Sequence, residues 1–96
     1  MPVFLIERTF AEELVVSPED AANVKRINEE SGVQWLIAFL SADKKKTYCL
    51  YEASNADAIR EAAERAGLPA DVIIEVGELA PTGVAGEVQK ERLTLQ

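Results

Sequence analysis

The stretch from Val33 to Ala53, VQWLIAFLSADKKKTYCLYEA, constrains the fold of this chain more than any other. Two apolar runs flank a charged turn at Asp43 to Lys46, a pattern that predicts a hairpin of two strands, Val33 to Ala42 and Thr47 to Ala53. In the first strand Val33, Trp35, Ile37 and Phe39 oppose Leu36, Ala38 and Leu40, so both faces are apolar. A strand of that kind belongs inside a sheet that is covered on both sides. The second strand sets Thr47, Cys49 and Tyr51 against Tyr48, Leu50 and Glu52. Lys44, Lys45 and Lys46 are read as a solvated turn that guards the strand ends against edge pairing, rather than as an anion site.

The flanking segments repeat one another. Val3 to Phe10 alternates Val3, Leu5, Glu7 and Thr9 with Phe4, Ile6, Arg8 and Phe10, which predicts a central strand. After a connection at Ala11 to Val16, Ser17, Pro18, Glu19 and Asp20 supply an N-cap hydroxyl, a proline at the first helical position and acids near the positive end of the helix dipole. The helix they start buries Ala21, Val24 and Ile27, runs to about Glu30 and stops at Ser31 and Gly32. Ser54 to Asp57 starts a second helix in the same way, with Ile59, Ala62, Ala63 and Ala66 as its inner stripe and Gly67, Leu68 and Pro69 as its stop. Val72 to Leu79 is the fourth strand. Residues 81–96 form a tail, expected to be flexible or swapped onto a partner chain, outside a domain spanning residues 1–80.

Strand, helix, strand, strand, helix, strand is the order of two βαβ units sharing a central hairpin. It predicts an α+β, ferredoxin-like βαββαβ fold: a four-stranded antiparallel sheet with two helices on one face. The other face then carries the surplus apolar residues. By alternation these are Val3, Leu5, Trp35, Ile37, Phe39, Cys49, Tyr51, Ile74 and Val76, while Phe4, Ile6, Leu36, Ala38, Leu40, Leu50 and Ile73 go under the helices. At ~25 cal/mol per Å² of apolar surface, so large a patch gains several kcal/mol by being covered. The expected cover is a second copy, giving a homodimer of the dimeric α/β-barrel type.

Composition narrows the chemistry. Seventeen acidic against 10 basic residues leave a net charge of -7, a field that repels nucleic-acid backbones and anionic membrane surfaces. No apolar run is long enough for a membrane span, and the first ten residues do not make a signal peptide, so a cytoplasmic location is expected. With one cysteine and no histidine, the chain has neither an internal disulfide nor the usual donor clusters for zinc, haem or iron–sulfur.

The candidate ligand-binding residues are therefore those of the uncovered face: Glu7, Trp35, Ile37, Phe39, Cys49 and Tyr51. Glu7 stands out because a carboxylate between two sheets must either pair or hold a raised pKa. Cys49 without a histidine to activate it reads first as a small buried hydrophobe, and Trp35 and Tyr51 as interface anchors. Metal ligation has only Glu7 and Cys49 as weak candidates.

ERTF after the first strand, QWLIAFLSADK, TYCLYEA and AIREAAERAGLPAD together resemble a family of small bacterial ferredoxin-like proteins long carried as a domain of unknown function. One branch of that family is described as nickel-binding. The resemblance runs from about Val3 to Val76 and implies nickel as a cofactor, but imidazoles are common in the family at the positions of Ile37 and Ala62, and a tyrosine at Phe39. This chain has none of the three. It is thus expected to be a non-enzymatic, homodimeric protein that binds a small ligand or a nickel-type ion. The alternative is a cofactor-independent oxygenase or isomerase with Glu7 or Tyr51 as acid/base.

Overall fold

The computed structural model describes residues 1–90. Its elements are β1 (Val3–Thr9), α1 (Pro18–Ser31), β2 (Gln34–Leu40), β3 (Lys46–Glu52), α2 (Ala56–Ala66), β4 (Val72–Val76), and a short pair, β5 (Glu78–Leu79) and β6 (Ala85–Gly86). The first four strands form one antiparallel sheet in the order β2-β3-β1-β4, and both helices lie on one face of it. This is the ferredoxin-like arrangement expected from the order of elements.

Local chemistry sets the helix ends. Ser17 Oγ accepts from the Asp20 amide at 3.0 Å while the Asp20 carboxylate accepts from the Ser17 amide at 3.3 Å, a reciprocal capping box in front of α1. Gly32 ends α1 at φ 73°, in the left-handed region where a Cβ is disfavoured. The second helix differs from its expected start by one residue: Asn55, not Ser54, is its N-cap, with Oδ1 accepting from the Ala58 amide at 3.0 Å. Asparagine and serine are equally good caps, so the sequence SN offered no preference between them. Arg65 of α2 reaches Glu30 of α1 at 2.5 Å and Ser31 at 3.1 Å, tying the two helices together at their exposed ends.

Register decides which side chains go where, because residues directly paired across antiparallel strands share a face. Phe4 pairs with Tyr51 and Ile6 with Cys49, and all four belong to the core formed with Ile27 of α1 and Ile59 and Ala62 of α2. Cys49 and Tyr51 therefore lie under the helices, opposite to the expected side. Leu50, paired with Leu5, takes the uncovered face instead. In β2 a bulge between Trp35 and Ile37 shifts the pairing: Trp35 faces Tyr51, Ile37 faces Leu50, and one extra residue is accommodated between them. The bulge puts Trp35 on the helix side and leaves Ile37 and Phe39 on the uncovered side. Uninterrupted alternation, which assigned all three to one face, is corrected at Trp35.

The uncovered face that results carries the row Ile37, Leu50, Leu5, Ile74 across all four strands of the sheet, flanked by Phe39, Tyr48, Glu7 and Val72. Phe39 is 59% exposed and Ile74 51%. Strand four is shorter than expected, stopping at Val76. At Gly77 a Cβ would come 2.7 Å from the Gly86 carbonyl oxygen, so the chain can double back on itself there only through glycine. The resulting hairpin brings Leu79 and Val88 beside Leu5, Leu50 and Val76 at one end of the face. Lys90 pairs with Glu52 of the same chain. The rest of the tail, including Leu93 and Leu95, lies outside the described residues.

Candidate functional site

The first turns of α1 do not close against β2 and β3. A cavity of about 450 Å³ remains between them, walled by Leu14, Val24, Ala38 and Leu68 and floored by Arg8, Thr47, Cys49 and Tyr51. The segment after β1 runs along its side, held by two hydrogen bonds to the lysine turn, Phe10 N–H to the Lys45 carbonyl at 2.8 Å and Leu14 N–H to the Lys44 carbonyl at 2.7 Å. The lysine run thus forms the expected turn and, through its backbone, also positions this wall. Val15, Val16, Phe39 and Leu40 are exposed at the cavity's rim, together with the polar Asp20 and Asn23 of α1.

The floor is polar in an unusual way. Arg8 follows Phe4 and Ile6 on the helix face of β1 and is 4% exposed. Its guanidinium donates to the Pro69 carbonyl and sits over the Tyr51 ring, 5.8 Å from the centroid. Among the described residues no carboxylate lies within 4.0 Å of it. Thr47 pairs directly with Arg8, is 7% exposed, and its Oγ1 has no hydrogen-bond partner. Tyr51 stacks on Trp35 with ring centroids 6.5 Å apart and planes 15° apart. Burial pushes the Tyr51 phenol above its ordinary pKa, with the positive charge of Arg8 pulling partly the other way. Asn28 lies close to that phenol, yet its Nδ2 is buried and meets no acceptor at hydrogen-bond distance. A wider groove of about 660 Å³ beyond Trp35 is lined by exposed Lys25 and Glu29 and contains no buried charge.

Of the expected site residues, the structure brings Trp35, Cys49 and Tyr51 together in the cavity, with Phe39 at its rim. Glu7 and Ile37 lie on the opposite face of the sheet. Glu7 is partly exposed in the single chain and pairs with Lys46 at 3.8 Å, so it is not unpaired within the chain. Glu7 and Cys49, the two metal candidates, are on opposite faces and cannot share an ion within one chain. Arg8, Thr47 and Asn28 were not anticipated. For Arg8 the signal was present, since it continues the i, i+2, i+4 series of Phe4 and Ile6 into the core.

By fold, this is a small α+β protein of the ferredoxin-like class whose sheet has one face covered by helices. A family model described as nickel responsive protein SCO4226-like matches residues 4–76, and the chain belongs to that family. The resemblance carried by ERTF, QWLIAF, TYCLYEA and REAAERAG is thereby borne out. The crystal structure of SCO4226 from Streptomyces coelicolor A3(2) matches with a TM-score of 0.63 and 23% identity, covering 81% of this chain and 99% of that one. At that identity the likeness speaks for the fold. No curated protein matches the chain. Among the described residues no helix is long and apolar enough to cross a membrane.

Proposed function

We propose that this chain is a non-enzymatic, homodimeric small-ligand binding protein whose ligand occupies the cavity between α1 and the sheet. The observation that carries the proposal is the cavity itself: about 450 Å³, apolar walls, and a floor with a buried cation and an unpartnered hydroxyl. Small-molecule sites have this character, with volumes of ~300–1,000 Å³, mostly apolar linings and a few converging polar groups. Dimerisation through the uncovered face is supported by its apolar row from Ile37 to Ile74.

The family description links relatives to nickel, and the residues of this chain do not fit that ion. It has no histidine, and no group of three or more histidine, cysteine, aspartate or glutamate side chains converges among the described residues. Nickel binds best to imidazole, thiolate or well-placed carboxylates. Titration with nickel is expected to show no binding above that of a Glu7→Ala control, and stoichiometric tight binding would overturn the small-ligand reading in favour of a metal one. The enzymatic alternative has less support. Glu7 lies on the other face of the sheet from the cavity, and Tyr51, whose pKa burial raises, is no base at neutral pH, which leaves it only the role of a proton donor.

An uncharged apolar probe tests the site. Octanol added to the protein is expected to shift the NMR signals of Val24, Trp35 and Tyr51, and Val24→Trp, which fills the cavity from α1, is expected to abolish the effect. Shifts confined to the uncovered face, or unchanged in Val24→Trp, would refute the placement.

A further inference from the structure

We infer that the ligand of this cavity is a carboxylate with an apolar body, its head group held by Arg8 and Thr47. The inference rests on the reading of the cavity as a ligand site and adds the chemistry of what it takes. Arg8 as a whole is 4% exposed, so its guanidinium has lost most of its hydration, a penalty that is ordinarily met by a carboxylate partner. Here the described residues provide the Pro69 carbonyl and Tyr51, whose ring lies under the guanidinium and whose hydroxyl also interacts with it. A guanidinium presents five donors in a planar fork, so donors remain to be satisfied at the cavity floor. That fork matches the two oxygens of a carboxylate in a bidentate pair.

Thr47 supplies the second, independent observation. As the direct cross-strand partner of Arg8 it stands beside it on the same face, with Cβ atoms ~5 Å apart. Its Oγ1 is buried and unpartnered. Buried hydroxyls are nearly always hydrogen-bonded, and a hydroxyl next to a guanidinium at a cavity floor can donate to the anion that the guanidinium attracts. The walls above are Leu14, Val24, Ala38 and Leu68, which suit an alkyl or arylalkyl body rather than a sugar or a second charge. Asp20, which also lines the cavity, is exposed and has its carboxylate engaged in the cap of α1.

The net charge of -7 acts against any anion at long range, so selectivity has to come from the buried pair. This gives the site an unusual salt dependence. Raising the salt from about 0.05 to about 0.5 M screens the repulsion from surface acids far more than it screens the buried contact. Carboxylate affinity is therefore expected to hold or rise with salt, whereas a surface lysine site would lose affinity.

The test is calorimetric titration of the full chain at pH 7 with octanoate, octanol and octylamine, which share a body and differ in head group. Octanoate is expected to bind at least about tenfold more tightly than octanol, the range for a charged hydrogen bond made in a buried site, with octylamine weakest. Arg8→Gln is expected to erase the preference, bringing octanoate to within about twofold of octanol in the same variant. Equal affinity for octanoate and octanol would overturn the carboxylate assignment and leave the cavity as a ligand site. Failure of all three probes to bind would overturn both. If Arg8→Gln does not fold, Thr47→Val decides, because it keeps Arg8 and the shape of the side chain. It should weaken octanoate at least about threefold and narrow its advantage over octanol, and unchanged octanoate binding refutes the assignment.

Discussion

Ile6→Ala is expected to destabilise the protein by about 3–4 kcal/mol. Ile6 has no exposed surface, lies at the centre of β1, and pairs with Cys49 on one side and Ile73 on the other. It packs into the one core shared by both helices, through Ile27 and Ile59, so truncation leaves a cavity that neither helix can close without breaking its own contacts. In urea, with an m-value of ~1 kcal/mol/M for a chain of this size, the midpoint should fall by about 3 M at unchanged m. Leu5→Ala is the informative control. Leu5, next to Ile6 on the same strand, faces the uncovered side and is only partly buried in the single chain. Measured below the concentration at which copies associate, Leu5→Ala should cost less than half as much as Ile6→Ala. Equal losses would mean that the two faces of β1 are equally packed within one chain, and the assignment of helix face and open face would be wrong.

That contrast bears on how much of the structure could be read from the residues. Strand and helix order, both helix stops and the fold class follow from short signals: a hydroxyl–proline–acid start, Gly32 and Gly67 at positive φ, and apolar runs of strand length. The phase of the strands is harder. In β1 it was legible, since Phe4 and Ile6 are large, lie on one side, and meet the helices as expected. In β3 both faces mix apolar and polar groups: Thr47, Cys49 and Tyr51 are no more apolar than Tyr48, Leu50 and Glu52. Hydrophobicity alone does not choose between two such sets, and a one-residue error reverses every side chain. In β2 the bulge at Trp35 breaks the period of two, and nothing in QWLIAFL announces it because every position is apolar or neutral.

The misassigned phase also hid the site. With Cys49 and Tyr51 placed on the open face, the chemistry of the chain gathers around Glu7; with the observed register it gathers around Arg8, on the other side of the sheet. Arg8, Thr47 and Tyr51 become neighbours only through the pairing of β1 with β3, which sequence spacing does not reveal. The family relationship is consistent with this division. Its model spans residues 4–76, all of the four-stranded sheet but Val3, while the two positions at which the resemblance implied imidazoles are Ile37 on the open face and Ala62 in the core. Membership of the family thus speaks for the fold, and one scaffold can present different sites.

The open face is where the second large effect is expected. Ile74→Asp should convert the proposed dimer into a monomer, weakening association by at least about a thousandfold while leaving the fold intact. Ile74 is 51% exposed in the single chain, so an aspartate there remains hydrated and costs the monomer little. In a two-fold symmetric dimer the same substitution occurs twice across one interface, and each buried, unpaired carboxylate costs ~3 kcal/mol or more. The site also lies at the end of the row Ile37, Leu50, Leu5, Ile74, so the charge interrupts a stripe that spans the sheet rather than an isolated contact. Sedimentation velocity at micromolar protein should report a dimer for the parent chain and a monomer for Ile74→Asp, with the circular dichroism of the two unchanged. A monomeric parent would remove the dimer proposal. A dimeric Ile74→Asp would move the interface away from the open face, and the sheet would then require some other cover, for which Leu79 and Val88 at its end are the nearest apolar groups in the chain itself.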